Sequence, residues 1–163
     1  MNCMISGVIL TVGMGVSVTA AEEPASLLGI AHVVVTANRV PAALVSARLT
    51  TETLISDVER KLLGRGLTVG ATPADATIHI VVNAVPIDTS SGRNAGVAYN
   101  VNLEVGQQAT LALNMVNAPV TTWRRSGMGV TVPRRASDAI RRQLDEYVEM
   151  LLKDLASANV RAR

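Results

Sequence analysis

Cysteine is nearly absent from this sequence, and aromatic residues are scarce. Cys3 is the only cysteine among 163 residues, phenylalanine is missing, and the aromatic residues are Trp123, Tyr99 and Tyr147. A single cysteine excludes an internal disulfide, so burial of apolar side chains must hold the fold together. That core has to consist mainly of Val, Leu, Ile and Ala, and few aromatic rings remain on which bases or sugars could stack.

Charged residues are missing from the start of the chain. Residues 1–21 contain no Asp, Glu, Lys, Arg or His, and an apolar run ends in small residues before Glu22. This pattern is typical of a secretory signal peptide cleaved after Ala20 or Ala21. We therefore predict a signal peptide over residues 1–20 and a periplasmic mature chain. The first basic residue is Arg39, so the usual basic start is lacking, and an inner-membrane anchor over residues 4–21 remains the alternative.

Recognisable catalytic and metal-binding patterns are also lacking. The two histidines, His32 and His79, fall on separate predicted strands, whereas a zinc site needs three or four ligands within reach. No G-x-S-x-G motif surrounds a serine. Gly127-Met128-Gly129 is not followed by the Lys and Ser or Thr of a phosphate-binding loop. We expect no enzymatic activity, no catalytic residue, no metal and no cofactor.

Two segments have the apolar spacing of amphipathic helices. One is predicted over residues 51–63, with Thr50 or Thr51 as its N-cap and Gly64 and Gly66 at its end. A longer apolar stripe predicts a second helix over residues 137–156, capped by Ser137.

Strands are predicted around these helices wherever apolar and polar residues alternate or β-branched residues cluster. The segments are 30–36, 67–69, 76–85, 97–105, 110–116 and 120–125, with loops at 89–96 and 126–133. The order β-α-β-β-β-β-β-α predicts an α+β fold, with two helices on one face of a mainly antiparallel sheet. We expect one domain over residues 30–157 and a disordered tail over 158–163.

Positive charge is concentrated near the end of the sequence. Residues 1–116 carry a net charge of −2 and residues 117–163 carry +4. This is far less than a dedicated nucleic-acid-binding protein needs, so we expect no nucleic-acid partner. Within 117–163 stand three arginine pairs: Arg124-Arg125, Arg134-Arg135 and Arg141-Arg142.

These arginines are the candidate partner-binding residues. They predict a docking surface for an acidic partner, namely lipid headgroups, lipopolysaccharide, a cell-wall polymer or an acidic protein. The alternative is that they are ordinary solvated surface arginines. Arg93 and Asn94, in the predicted loop 89–96, are a second candidate because loops often carry binding residues.

The order of elements resembles a recurring small domain of the bacterial envelope. Ala74-Asp75-Ala76 opens a strand, and Val120-Thr121-Thr122-Trp123 precedes a glycine-containing loop and a closing amphipathic helix. In these features the chain resembles the lipopolysaccharide-assembly lipoprotein, the curli-secretion lipoprotein and the N-terminal region of TolB. Many such proteins are lipid-anchored, but Cys3 precedes the apolar run, so this chain lacks a cysteine in the lipid-attachment position.

The resemblance implies a non-enzymatic binding or assembly domain that acts on an envelope partner, with peripheral membrane contact. The alternative function is a small carrier of lipid or another apolar ligand, with a pocket between sheet and helices. The sequence leaves the oligomeric state open.

Overall fold

Five strands form one sheet in the order β2-β1-β3-β4-β5. The computed structural model describes residues 24–45, 49–70, 73–88 and 94–161. The predicted signal peptide and Arg93 lie outside these ranges. The strands are β1 (His32–Ala37), β2 (Thr68–Val69), β3 (Ala76–Asp88), β4 (Asn94–Thr110) and β5 (Asn117–Thr131).

The sheet is mixed but mainly antiparallel. Strand β1 pairs in parallel with its neighbours β2 and β3, over short registers. Strands β3, β4 and β5 are much longer and form an antiparallel meander. The predicted α+β class with a mainly antiparallel sheet is confirmed.

Helices α1 (Ala42–Val45), α2 (Thr51–Leu63) and α3 (Ala136–Arg161) accompany the sheet, and short 3₁₀ turns lie at Pro24–Leu27 and Pro133–Arg135. The predicted bounds of α2 are confirmed, because both of its ends are encoded locally. The Thr50 hydroxyl accepts from the Thr53 backbone N–H at 3.2 Å, and the Thr53 hydroxyl accepts from the Thr50 N–H at 3.1 Å. This reciprocal cap satisfies two backbone donors that the first turn leaves free. After the helix, Gly66 adopts a φ of +83° that disfavours any residue with a Cβ.

The core lies between α2, α3 and one face of the sheet. Each element contributes side chains at the period of its own geometry: every second residue of β3 and every third or fourth residue of the helices. Ile78 and Ile80 from β3 and Leu54 and Leu62 from α2 are all at most 1% exposed. The core consists of aliphatic side chains with one tryptophan and one tyrosine at its border, as the composition predicts.

The β4–β5 hairpin differs from the prediction. The strand predicted over 110–116 is instead the turn that joins β4 to β5, and the turn predicted at 106–108 lies inside β4, at a bulge beside Gly106. Alternation of Leu111, Leu113 and Met115 imitates a half-buried strand, but no described element covers these side chains and all three are exposed. The loop predicted over 126–133 is also wrong, because β5 continues to Thr131.

Both ends of the described chain are more ordered than predicted. Helix α3 begins at Ala136, directly after a 3₁₀ turn, so Ser137 lies inside its first turn rather than at the N-cap. The disordered tail predicted over 158–163 is wrong for its first residues, because α3 continues to Arg161 and Ala158 is buried. Before the predicted start of the domain at residue 30, Leu27 is fully buried. Both segments are held by mutual contact, since the first 3₁₀ turn packs on α3.

Candidate binding surface

One face of the sheet carries no described helix, and we call it the open face. The apolar part of the open face, here named the open-face patch, consists of Val85, Met128 and Val130, which are 64%, 84% and 70% exposed. Val85 lies on β3 and the other two on β5, on either side of β4, where Ala98 pairs with both Val85 and Val130. They border a shallow depression of about 420 Å³. An exposed apolar strip of this kind is typical of a contact site.

Amide side chains border the open-face patch. Asn83, Asn100 and Met128 form one row across the three strands, and the Asn100 amide donates to the Gly127 carbonyl at 3.2 Å. In the next row the Ser126 hydroxyl donates to the Asn102 side-chain oxygen at 2.5 Å. Such groups hold the side chains of the open face in fixed positions and leave hydrogen-bonding capacity at the rim of the patch.

The remaining part of the open face is polar. His79 lies between Thr36 and Glu104 in the register, and the Thr36 hydroxyl contacts the His79 Nδ1 atom at 2.8 Å. At the other end of the same row Glu104 pairs with Arg124, with 3.2 Å between Oε1 and Nε. His79 is thus a half-buried side chain of the open face that is hydrogen-bonded to Thr36.

The first predicted arginine pair is divided between the two faces of the sheet. Arg124 pairs with Glu104 on the open face, whereas Arg125 is aligned with the core residue Leu103 on the helix-covered side. There Arg125 lies 5.3 Å from the centre of the Trp123 ring and 3.8 Å from the Asp154 carboxylate. Adjacent strand residues point to opposite faces, so these two arginines do not form one patch.

The second pair, Arg134-Arg135, follows Val130 of β5 by four and five residues. Both side chains are exposed, and neither makes an ion pair with another residue in the described ranges. They stand in the 3₁₀ turn that leads into α3. Of the predicted arginine cluster, this pair is the exposed part without an ion-pair partner that is nearest in sequence to the end of the open-face patch.

The third pair, Arg141-Arg142, lies on α3. Arg141 contacts Asp57 of α2, with 2.8 Å between Nε and Oδ2, while Arg142 is exposed and has no ion-pair partner within the described residues. Arg141 thus joins two helices. Of the second candidate site, Asn94 is the first residue of β4 and pairs with Asp88, and Arg93 lies outside the described residues.

Lys61 extends the ionic contact between α2 and α3. Its ammonium group pairs with Asp145, and with Glu149 at 3.2 Å, while Arg65 pairs with Glu149 at 3.1 Å. Partial burial by itself lowers the pKa of Lys61, but the hydrogen bonds that its ammonium donates to Asp145 and Glu149, with the charges of these carboxylates, outweigh burial and raise the pKa above its ordinary value. The charged side chains Lys61, Arg65, Asp145 and Glu149 of the cleft between the two helices thus pair with one another, and no ligand is needed to account for them.

The histidines and carboxylates do not converge on a metal-binding arrangement. Across residues 24–45, 49–70, 73–88 and 94–161, no three His, Cys, Asp or Glu side chains stand close enough together to hold a metal ion. The His32 Nδ1 atom contacts the Asp75 carboxylate at 3.3 Å. Within the same ranges, no helix has both the length and the apolar character needed to cross a membrane.

Sequence reasoning missed the open-face patch, although a signal for it was present. Met128 and Val130 alternate with Gly127 and Gly129, which is the period of a strand, but the two glycines suggested a loop. A Cβ at either glycine would collide with a tyrosine side chain, Tyr147 at 127 and Tyr99 at 129. The glycines therefore make room for aromatic side chains on the helix-covered side. Met128 and Val130, which alternate with them, point to the open face.

Comparison with known proteins returned matches only among solved structures. No family model matches this chain, and no curated protein matches it. A PelC dodecamer from Paraburkholderia phytofirmans is 13% identical over 78% of this chain and 86% of its own, with a TM-score of 0.43. Rare lipoprotein B from Shewanella oneidensis is 11% identical over 80% of this chain and 98% of its own, with a TM-score of 0.40.

A third match is an uncharacterized lipoprotein B from Nitrosomonas europaea, which is 19% identical over 85% of this chain and 92% of its own, with a TM-score of 0.39. Two of these three are lipoproteins by name, which agrees with the resemblance that the order of elements predicts.

Proposed function

We propose that this protein is a non-enzymatic binding domain of the bacterial envelope that holds its partner on the open-face patch. The observation that carries the proposal is the exposure of Val85, Met128 and Val130 on one sheet face without a described helix, where they flank β4 from β3 and β5. Apolar side chains grouped in this way are costly in water unless a partner covers them. The uncharged start of the chain, with its signal-like ending, supports an exported protein.

The arginines that follow the patch in sequence indicate the chemistry of the partner. Arg134 and Arg135 are exposed and follow the patch directly along the chain. A partner that combines an apolar surface with acidic groups fits this arrangement, because the apolar part is buried on the sheet while arginine binds carboxylate or phosphate. Arg141 is less suited to this role, because its guanidinium already contacts Asp57.

A carrier with a pocket between sheet and helices is less well supported. Side chains from β3, β4, α2 and α3 fill that layer as one buried cluster. The groove nearest to it, about 480 Å³, opens at the surface and is lined partly by Arg65, Glu149 and Lys153. Apolar ligands prefer pockets lined mainly by apolar side chains, so the open-face patch is the better candidate.

Site-specific photo-crosslinking in a Gram-negative host tests the proposal. A photoreactive residue replaces Met128 in the patch or, as the matched control, Val160 on α3, which is 74% exposed. We expect adducts from position 128 and not from 160, and we expect Arg134→Ala/Arg135→Ala to reduce them. Equal adducts from both positions, or none from position 128, would contradict a partner on the open face.

Export is tested separately, by cell fractionation and intact mass. A periplasmic species that begins at Ala21 or Glu22 is expected for a cleaved signal. A membrane-bound species of full mass would identify residues 4–21 as an anchor. A cytoplasmic species of full mass would contradict an envelope function.

A further inference from the structure

The turn of the β4–β5 hairpin exposes a second group of apolar side chains. Leu111, Leu113, Met115 and Val116 are 43%, 98%, 74% and 51% exposed, and we call residues 111–116 the hairpin tip. Residues 105–123, which contain the tip, include no charged residue. The tip is therefore apolar at its surface and is supported on both sides by uncharged chain.

The hairpin tip stands away from the rest of the sheet. Strand β3 pairs with β4 only as far as Thr77 and Gly106. Beyond that point Gln107 to Thr110 pair only with residues 117–120 of β5. At about 3.3 Å per residue, four such pairs place the tip about 13 Å beyond the last row of β3. The four apolar side chains thus project at the end of a two-stranded ribbon.

Part of the backbone of the tip bonds to the tip itself. The Leu111 N–H donates to the Val116 carbonyl at 2.9 Å, and the Met115 N–H donates to the Leu111 carbonyl at 2.8 Å. The Thr110 hydroxyl donates to the Asn117 side-chain oxygen at 2.7 Å. Entry into an apolar medium is costly for polar groups without partners, and these internal bonds reduce that cost.

The first 3₁₀ turn, Pro24–Leu27, lies beside the base of this ribbon. The Ser26 hydroxyl donates to the Thr122 carbonyl at 3.0 Å, and Thr122 lies six positions after Val116, the last residue of the tip. In the alternative in which residues 4–21 are retained as an inner-membrane anchor, only Glu22 and Glu23 separate that anchor from this turn.

We propose that the hairpin tip inserts into the interfacial layer of a phospholipid bilayer. An apolar tip with no charge and with part of its backbone internally bonded fits this medium, and an anchor over residues 4–21, ending two residues before the turn at the base of the ribbon, would favour a bilayer over a protein pocket. Interfacial elements enter by about 5–10 Å, so a ribbon of about 13 Å keeps the sheet clear of the membrane. The tip and the open-face patch lie toward opposite ends of β5 and can be tested independently.

Depth-dependent fluorescence quenching on the full chain tests this proposal. In a Cys3→Ser background, Leu113→Cys carries an environment-sensitive fluorophore, and Met128→Cys, also strongly exposed, is the matched control. The vesicles contain phosphatidylethanolamine and phosphatidylglycerol, with a quencher on the acyl chains. We expect several-fold stronger quenching at 113 than at 128, whether or not residues 1–21 also bind the vesicles.

Each other outcome overturns the proposal. Equal quenching at both positions would mean that the tip is not a preferred insertion point. Quenching at 128 alone would place lipid on the open-face patch instead. Protection of the 113 label without lipid, increasing with protein concentration, would identify a second copy of the chain as the occupant. An unlabelled Leu113→Ser/Met115→Ser variant should lose vesicle binding several-fold relative to Met128→Ser, and equal binding of the two variants would also overturn the proposal.

Discussion

The ring of Tyr99 on β4 lies against the backbone of Gly129 on β5, its direct partner in the ladder. A Cβ at position 129 would stand 2.5 Å from both the Cζ atom and the hydroxyl oxygen of Tyr99, closer than real atoms approach. The glycine therefore provides a place for an aromatic ring on the helix-covered side of an edge strand.

Gly129→Ala is expected to destabilise the protein by about 1–3 kcal/mol, because the ring must leave its preferred position to admit the methyl group. Chemical denaturation followed by circular dichroism measures the free energy of unfolding. Gly106→Ala is the matched control, since a Cβ there would meet its nearest atoms at 3.8 Å. If both variants lost the same unfolding free energy, the contact with Tyr99 would not be the reason why position 129 requires glycine.

The indole of Trp123 depends on a carboxylate of α3. Its Nε1–H donates to Asp154 at 2.9 Å, and the tryptophan is 2% exposed. Asp154→Ala leaves a buried donor without a partner and should cost about 1–3 kcal/mol of unfolding free energy. Because Trp123 is the only tryptophan, its fluorescence during urea unfolding reports this change directly.

Asp154→Asn is the control for that prediction. An amide oxygen still accepts from the indole, so only the attraction to Arg125 at 3.8 Å is lost. Exposed ion pairs contribute about 0.2–1 kcal/mol. If Asp154→Asn destabilised the protein as much as Asp154→Ala, charge rather than the indole hydrogen bond would be the dominant contribution.

Asp75 links the start of β3 to the start of β1. Its carboxylate accepts from the backbone N–H groups of Ala31 at 2.9 Å and His32 at 2.7 Å. These two bonds hold the pKa of Asp75 below its ordinary value, and the His32 side chain adds to the shift. A carboxyl group whose pKa is lowered on folding stabilises the native state above its unfolded pKa, and this contribution is lost as the pH falls through the folded pKa.

Asp75→Asn is therefore expected to unfold more easily than the unaltered chain at neutral pH, with a gap in melting temperature that narrows below about pH 4. Thermal unfolding between neutral and acidic pH measures this gap. Asp88→Asn, at the exposed end of β3, serves as the control and should show little difference at any pH. A gap for Asp75→Asn that stays constant as the pH falls would exclude a contribution from the charge of Asp75.

The two main helices could be predicted from sequence because each carries its own signal. The apolar stripe of α2 and the Thr50 cap are local features, and they set its bounds with little help from the rest of the fold. The end of α3 could not be predicted, because Ala158 is buried through packing near the first 3₁₀ turn, a contact between distant parts of the chain.

The arginine cluster also shows that local sequence patterns cannot predict contacts between distant parts of the chain. A strand turns adjacent residues to opposite faces, so the division of Arg124 from Arg125 follows once residues 126–131 are recognised as part of β5. The partner of Arg141, Asp57, is 84 positions away, and no local pattern indicates it. Proximity in sequence therefore overstated how much of the cluster forms one surface.

The two edges of the sheet differ greatly in length, since β2 has two residues and β5 has fifteen. Strand addition needs a row of free backbone groups, and β5 offers a much longer row than β2. Two copies that paired along β5 by a two-fold axis would each cover this edge of the other, and the assembly would close as a dimer.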